Sequence, residues 1–266
     1  MAKQRIIIVI PAYNEEKRIG RTLSEYSELF NNLKKNKGID YSLLVVLNGC
    51  KDKTENIVKK YKDKNGYIDY FETEARGKGY AVIQGFKRAL AGGGEIIGFV
   101  DADCSTSPEE YWKLVLTLIN NPKLGGVIAD RYLLGSKITP NPGLKRLIAR
   151  KVFNAVIKVF LSLPYSDTQC GAKVFRREDL RKVIPKLTMS KWAFDVDLLY
   201  NLRKQGSKII GQKTIWEDRE YSTINFWKAG PWMVLGILRL RLINSPLKFL
   251  VGVYDRLFGE LYKRLK

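Results

Sequence analysis

Asp101-Ala102-Asp103 places two carboxylates at positions i and i+2, directly after the apolar run Ile96 to Val100. In extended backbone, residues two apart lie on one side, so both acids reach the same side of a cleft mouth. Paired hard oxygen donors suit Mg²⁺ or Mn²⁺, which can bridge to a diphosphate and neutralise the charge of a departing nucleotide. A bare pair of this kind also occurs as a solvated loop capping the next helix; its place at a strand end argues for the metal. A second polar cluster, Pro11-Ala12-Tyr13-Asn14-Glu15-Glu16, follows the β-branched run Arg5 to Ile10. It offers an aromatic ring and acceptors to a nucleotide base, or an ordinary strand-to-helix turn with Asn14 or Glu15 as N-cap. Asn48 stands at a third such position, after Tyr41 to Leu47.

The composition narrows the chemistry. The 266 residues include 47 Lys and Arg, 27 Asp and Glu and no histidine, for a net charge of +20. Ser-His-Asp hydrolysis, His-ligated zinc and imidazole acid/base catalysis are excluded, so proton transfer falls to carboxylates, Lys, Tyr or the substrate. Cys50, Cys104 and Cys170 form no C-x-x-C pair and read as reduced thiols, the latter two as small buried hydrophobes. The positive balance calls for a polyanion: nucleic acid, an acidic membrane or a phosphorylated substrate. Ile6 to Ile10 is too short for a leader and reads as a buried strand. The apolar stretches near the end are cut by Arg239, Arg241 and Lys248, so no transmembrane helix is expected.

The elements that must position these residues alternate. The pattern predicts strands at 5–10, 41–47, 67–71 and 96–100 and helices at 15–34, 52–64 and 77–90, with Ser107 and Pro108 opening a further helix. Repeated strand-helix units predict an α/β fold, a doubly wound parallel sheet whose ligands gather at the carboxyl ends of the strands. All three polar clusters fall there. Lys78, between Gly77 and Gly79, lacks the G-x-x-x-x-G-K-[ST] spacing of a phosphate loop, and Gly85 and Ala89 in the helix that follows favour close packing.

The second half differs. No acidic residue occurs from Arg131 to Ser166, while Ile148, Val152, Ala155, Val159 and Leu163 recur at helical spacing, giving a basic amphipathic helix within 137–163. A similar region runs from Phe226, with Trp227, Trp232, Leu235, Phe249 and Tyr254 among its basic residues. Asp195 and Asp197 sit two apart in a predicted helix, so they cannot share a face and at most one points into the cleft.

Pro11-Ala-Tyr-Asn-Glu-Glu, Asn48-Gly49-Cys50-x-Asp52-x-Thr54, Arg76-Gly77-Lys78-Gly79-Tyr80-Ala81 and Val100-Asp101-Ala102-Asp103 together resemble the GT-A glycosyltransferases of family 2. Asp167-Thr-Gln-Cys-Gly-Ala-Lys173 and Trp192-Ala-Phe-Asp-Val-Asp-Leu-Leu199 look like its dolichyl-phosphate glucosyltransferase branch, close to the dolichyl-phosphate mannose synthases. The resemblance runs from about residue 5 to 224 and implies a GT-A domain over 1–224, while the residue pattern of 225–266 reads as amphipathic membrane-interface helices. It implies that Pro11, Tyr13 and Glu15 line the nucleotide pocket, that Asn48 meets the base, and that Asp101, Ala102 and Asp103 bracket ribose, diphosphate and a Mg²⁺ or Mn²⁺ held by the two aspartates. Arg131 and Arg219 match arginines that hold phosphates, with Asp167 and Gln169 beside the acceptor and Asp197 or Asp195 positioning it or acting as a weak base. Many relatives have Asp at the Asn48 position, and the mannose synthases carry a Lys after the Arg219 position where Ser222-Thr223-Ile224 offers none.

The implied activity is an inverting, metal-dependent transfer of a hexose, glucose from UDP-glucose, to dolichyl or another polyprenyl phosphate. The implied location is peripheral, on an anionic membrane surface at its cytoplasmic face. Two alternatives stand beside it. One is a family 2 enzyme using GDP-mannose or another nucleotide sugar, or a non-polyprenyl acceptor. The other is a basic nucleic-acid-binding module, disfavoured because the carboxylates converge on the cleft where phosphodiester would be repelled.

Overall fold

A computed structural model describes residues 4–73, 77–141, 143–188, 193–217 and 226–263. The first half follows the predicted alternation: β1 (Arg5–Ala12), α1 (Ile19–Lys37), β2 (Asp40–Leu47), α2 (Thr54–Lys64), β3 (Ile68–Glu72), α3 (Lys78–Ala91), β4 (Ile96–Val100) and α4 (Pro108–Asn120). The second half continues with β5 (Gly126–Asp130), β6 (Lys137–Thr139), α5 (Leu144–Leu161), β7 (Ala172–Arg176), α6 (Arg177–Val183), α7 (Phe194–Lys204), β8 (Ile209–Lys213), β9 (Ile215–Glu217), α8 (Phe226–Ile243) and α9 (Val251–Lys263).

Seven strands form one sheet in the order β3-β2-β1-β4-β7-β5-β8. The pairs β1/β2, β2/β3, β1/β4 and β5/β8 are parallel, as expected. The wholly parallel expectation fails at β7, which runs antiparallel to both β4 and β5. Its sequence, Ala172-Lys173-Val174-Phe175-Arg176, carries two cations, and no local pattern in it announces a strand or its direction. A separate parallel pair, β6 and β9, lies beside the mouth, tied to the loop after β4 by a bridge between Thr106 and Trp216.

Alternation along β1 explains the layers. Ile6, Ile8 and Ile10 pack with Leu23, Tyr26 and Phe30 of α1 and Tyr111 and Val115 of α4. Ile7 and Val9 face the other way, against Phe86 of α3 and a core that reaches Phe194 of α7 and Ile237 and Leu240 of α8. Gly85 is obligatory there, because a Cβ would overlap Val9. Ser107 caps α4 by accepting from the Glu110 N–H, with Pro108 and two acidic residues in the first turn.

α5 shows two unlike faces. Among its described side chains Ile157 and Leu161 are buried, whereas Val152 is 59% and Val159 76% exposed. Of the stripe picked out by helical spacing, Val152 and Val159 point outward, while Leu163, past the helix end, is buried. α8 packs on α5 and contributes to the common core. Beyond it, Phe249, Val253 and Leu257 are exposed. No helix among the described residues is long and apolar enough to cross a membrane.

Candidate active site

The carboxyl ends of β1, β2 and β4 meet as expected, and the connecting loops brace one another. Asn14 takes a left-handed turn (φ 55°) and its Oδ1 accepts from the Lys51 N–H at 2.8 Å. The Glu15 N–H donates to Thr54 Oγ1 at 2.7 Å and the Glu16 N–H to Asp52 Oδ2 at 3.0 Å. Asp52 also accepts from Thr54 N–H at 3.0 Å. The Asp52-x-Thr54 part of the motif thus shapes the loop after β1 and leaves ligand contact to others. Tyr13 stands 46% exposed at the rim. Asn48 is buried, and its Oδ1 faces the Thr73 hydroxyl at 3.5 Å.

Glu15 grips Arg18 with two hydrogen bonds of 2.6 and 2.7 Å, and Arg18 extends to within 3.9 Å of Asp103 Oδ2. Burial pushes the Glu15 carboxyl above its ordinary value against the pull of Arg18, and the negative charges of Asp103 and Asp101 add to the rise. Glu15, Asp101 and Asp103 thus bring carboxylate charge to one mouth, with Arg18 bridging Glu15 and Asp103.

Asp103 Oδ1 accepts from the Ser105 N–H at 2.9 Å, leaving Oδ2 toward Arg18. Asp101 receives Lys78 Nζ at 2.5 Å. Its carboxylate rests on Gly171 of the segment leading into β7, where any Cβ would overlap Asp101 Oδ2, and its own N–H donates to the Gly171 carbonyl at 3.0 Å. Ala102 is buried and its carbonyl accepts from Thr22 at 2.7 Å, so the loop cannot rotate freely. Side chains of Asp101 and Asp103 remain 35% and 23% exposed. No group of three or more metal-ligating side chains occurs among the described residues. Mg²⁺ and Mn²⁺ sites commonly use one or two carboxylates and complete their shell with water and substrate phosphates. Two rigidly seated carboxylates, each faced by a cation in this structure, fit such an ion.

Behind this mouth the acids are committed to protein partners. Asp195 is buried and pairs with Lys173 Nζ at 2.5 Å; Lys173 is fully buried, donates also to the Cys170 carbonyl at 2.6 Å and lies 5.0 Å from the Phe99 ring centre. Asp197 points elsewhere: Oδ2 accepts from the Thr188 N–H at 2.7 Å and Oδ1 from Asn201 Nδ2 at 2.6 Å. As expected of positions two apart in a helix, Asp195 and Asp197 do not share a face. Helical geometry separates them, and Asp197, at 0% exposure, ties α7 to the preceding segment.

Arg131 follows β5 and is held by Asp167 through Nε at 2.6 Å and Nη2 at 3.0 Å, with its guanidinium 4.9 Å from the Trp216 ring centre. Burial opposes both charges, but each partner outweighs it: Arg131 holds the Asp167 carboxyl below its ordinary value, and Asp167 raises Arg131. Arg131 is thus held in a largely buried ion pair with Asp167. The Gln169 N–H donates to Asp167 at 3.1 Å, while its side-chain nitrogen is buried with no hydrogen-bond partner among the described residues. Next to this pair opens a cavity of about 360 Å³ between α5 and the 164–166 segment, lined by Tyr132, Leu147, Lys151, Asn154, Lys158 and Tyr165 among others. Ser166 on its wall donates to Asp130 at 2.5 Å.

Arg219, like Arg76 and Trp192 of the motifs, lies outside the described residues, as do the side chains of Trp227 and Trp232. Pro11, Tyr13, Glu15, Asn48, Asp101, Ala102 and Asp103 come together as one mouth. Arg18, Lys78 and Lys173 are the charged members that sequence reasoning missed. Of these Lys78 carried a signal, a lone cation between two glycines, which was set aside because no phosphate-loop spacing accompanied it.

Residues 7–184 match Glycosyl transferase family 2. The dolichyl-phosphate beta-glucosyltransferase of Drosophila melanogaster is 32% identical, over 93% of this chain and 76% of that protein. Those of Dictyostelium discoideum and Homo sapiens are 28% and 29% identical, over 93% and 91% of this chain and 75% and 77% of theirs. Among solved structures, glucosyl-3-phosphoglycerate synthase from Mycobacterium tuberculosis in complex with Mn²⁺, UDP and glucosyl-3-phosphoglycerate aligns with a TM-score of 0.65 at 21% identity, over 91% of this chain and 80% of that one. Staphylococcus aureus TarS in complex with UDP-GlcNAc aligns with a TM-score of 0.57 at 19% identity, over 98% and 72%. At these identities the likeness is one of fold, the GT-A arrangement.

Proposed function

The chain belongs to glycosyl transferase family 2, and from that premise we propose that it is a dolichyl-phosphate beta-glucosyltransferase. It moves glucose from UDP-glucose, with inversion, onto the phosphate of dolichol or a related polyprenol at a membrane surface. The observation that carries this reading is the mouth itself, two seated carboxylates with Arg18 and Lys78 on them, in a chain that aligns with such glucosyltransferases over nine-tenths of its length.

The donor lies across the ends of β1, β2 and β4, its base toward Tyr13 and Asn48 and its diphosphate toward Asp101 and Asp103. Mg²⁺ or Mn²⁺ held by these two aspartates supplies charge neutralisation to the departing diphosphate. Arg18 and Lys78 add fixed positive charge at the same mouth, so positioning and electrostatics provide most of the acceleration. A phosphate acceptor is already ionised near neutral pH and asks little of a base. That agrees with Asp195 and Asp197, the two carboxylates first considered for base duty, both being bound to protein partners. A hydroxyl acceptor would need one of them released. The acceptor phosphate approaches from the cavity under α5, where Lys151 and Lys158 offer charge and Leu147 and Tyr165 apolar surface; Arg131, Gln169 and Arg219 complete this side.

Membrane contact follows from the outward apolar residues of α5 and α9, namely Val152, Val159, Val253 and Leu257 with Phe249 between, set among lysines and arginines. Such faces lie in the headgroup plane without spanning, and each cation near an anionic surface contributes about 1 kcal/mol. The membrane is read as its cytoplasmic leaflet, where anionic lipid is concentrated.

Purified protein with Mg²⁺ or Mn²⁺, polyprenyl phosphate and a panel of nucleotide sugars tests the reading. A lipid product whose mass gains one hexose from UDP-glucose is expected. Transfer from GDP-mannose alone, or to a lipid hydroxyl, overturns the choice of donor or acceptor. Flotation with phosphatidylserine vesicles at low salt should carry the protein upward; failure to float removes the membrane reading.

A further inference from the structure

Lys78 occupies an unfavourable place for a cation. It is the first residue of α3, at the positive end of the helix dipole, where a basic side chain is normally disfavoured. Its ammonium is compensated from the mouth: Nζ lies 2.5 Å from Asp101 Oδ1, and Asp195 and Asp103 add attraction. The Lys78 side chain is nonetheless 42% exposed, so it has room to leave. Asp101 is anchored through its backbone: its N–H donates to the Gly171 carbonyl and its carboxylate lies against Gly171. Lys173, the neighbouring cation, is fully buried and tied to Asp195 and the Cys170 carbonyl, so it cannot take over at Asp101. At Asp101 the mouth therefore has a backbone-anchored carboxylate with an exposed, displaceable cation sitting on it.

Resting on the metal reading above, we propose that Lys78 is a resident counter-cation that competes with the divalent ion for Asp101 and yields it when a nucleotide diphosphate arrives. In the nucleotide-free protein, an incoming ion must displace the ammonium, and binding is weak. An incoming diphosphate offers Lys78 an alternative anion. The ammonium then swings off Asp101, and the ion enters beside the phosphates that complete its shell. Metal and nucleotide become coupled through a side chain, in addition to any direct contact between them, and the coupling acts equally on both affinities. The device offsets the charge of Asp101 in the nucleotide-free mouth and delays metal loading until a donor is present.

Mn²⁺ titrations followed by electron paramagnetic resonance, with and without saturating UDP, test this in the wild type and in Lys78→Met. A static nearby charge would weaken Mn²⁺ binding to the same degree in both states. A displaceable one weakens it only while the nucleotide is absent. Lys78→Met should bind Mn²⁺ about tenfold more tightly without UDP and show little or no gain with it, so that the enhancement produced by UDP shrinks by about the same factor. Lys78→Arg, which retains the charge, should stay close to the wild type. An equal gain in both states, or none in either, overturns the exchange while leaving the metal site standing. If neither wild type nor Lys78→Met binds Mn²⁺ even with UDP, the metal reading falls and the exchange falls with it. Circular dichroism of the variant verifies folding, which an exposed substitution at a helix start should leave intact.

Discussion

The chain contains two Asp-x-Asp pairs with the same spacing and opposite fates. Asp101 and Asp103 lie on a loop at the end of β4, where the backbone delivers both carboxylates to one mouth and leaves them partly exposed. Asp195 and Asp197 lie in the first turn of α7, where the helical turn sends one to Lys173 and the other to Thr188 and Asn201, both buried. Identical spacing yields two partly open carboxylates at one mouth in one setting and structural bracing in the other. What decides is whether the backbone leaves the carboxylates in contact with solvent or burial commits them wholly to protein donors.

Substitutions can break that contrast. Asp103→Ala should lower glucosyl transfer by about 100-fold or more, the scale seen when a preorganised electrostatic group is removed, with a melting temperature near that of the wild type. Retained activity would end its role at the metal. Asp167→Asn, in the rear group of acids, should act on stability, at about 3 kcal/mol, because it leaves Arg131 buried without its counter-charge. The pH dependence has a definite sign. The Asp167 carboxyl is lowered from 3.8 in the folded chain, so its stabilisation is fully present above that ordinary value and is lost as pH falls through the lower, folded one. The stability gap between wild type and Asp167→Asn should stay level from neutral pH down toward the ordinary value and narrow below it in urea titrations. Asp197→Ala should cost about 1–3 kcal/mol by leaving the Thr188 N–H and Asn201 amide without an acceptor, and activity per folded molecule should survive. Loss of activity at full stability would restore Asp197 as a base and erase the contrast. Ser107→Ala, removing the cap of α4 just beyond the first pair, should cost about 1 kcal/mol in thermal melts and little else.

The donor half was legible because strand ends in an α/β sheet announce themselves. β4 was placed at 96–100 and Ser107 at the cap of α4 from sequence, as found. The mouth residues Tyr13, Glu15, Asn48, Asp101 and Asp103 followed from that one topological rule. The cations Arg18, Lys78 and Lys173 were not legible, because their partners lie far along the chain in all but one case and charge-pair geometry has no periodicity. β7 was not legible, because Lys173 and Arg176 break its apolar pattern and local sequence does not encode strand direction. On α5 the period was legible and the facing was not. Phe153, Ile157 and Leu161 form an equally good stripe, and only the partner surface of the sheet and α8 selects which one is covered.

The late insertion of β7 also bears on how the enzyme comes into being. A nascent chain that has emerged only through α4 can pair β1 to β4, yet the outer edge of β4 is bare and nothing lies beneath Asp101. Gly171 and Lys173 must be synthesised and threaded back before that edge closes. Ribosome-bound intermediates therefore have the motif but lack its seat, and the capacity to hold a sugar nucleotide arrives with the middle third of the molecule.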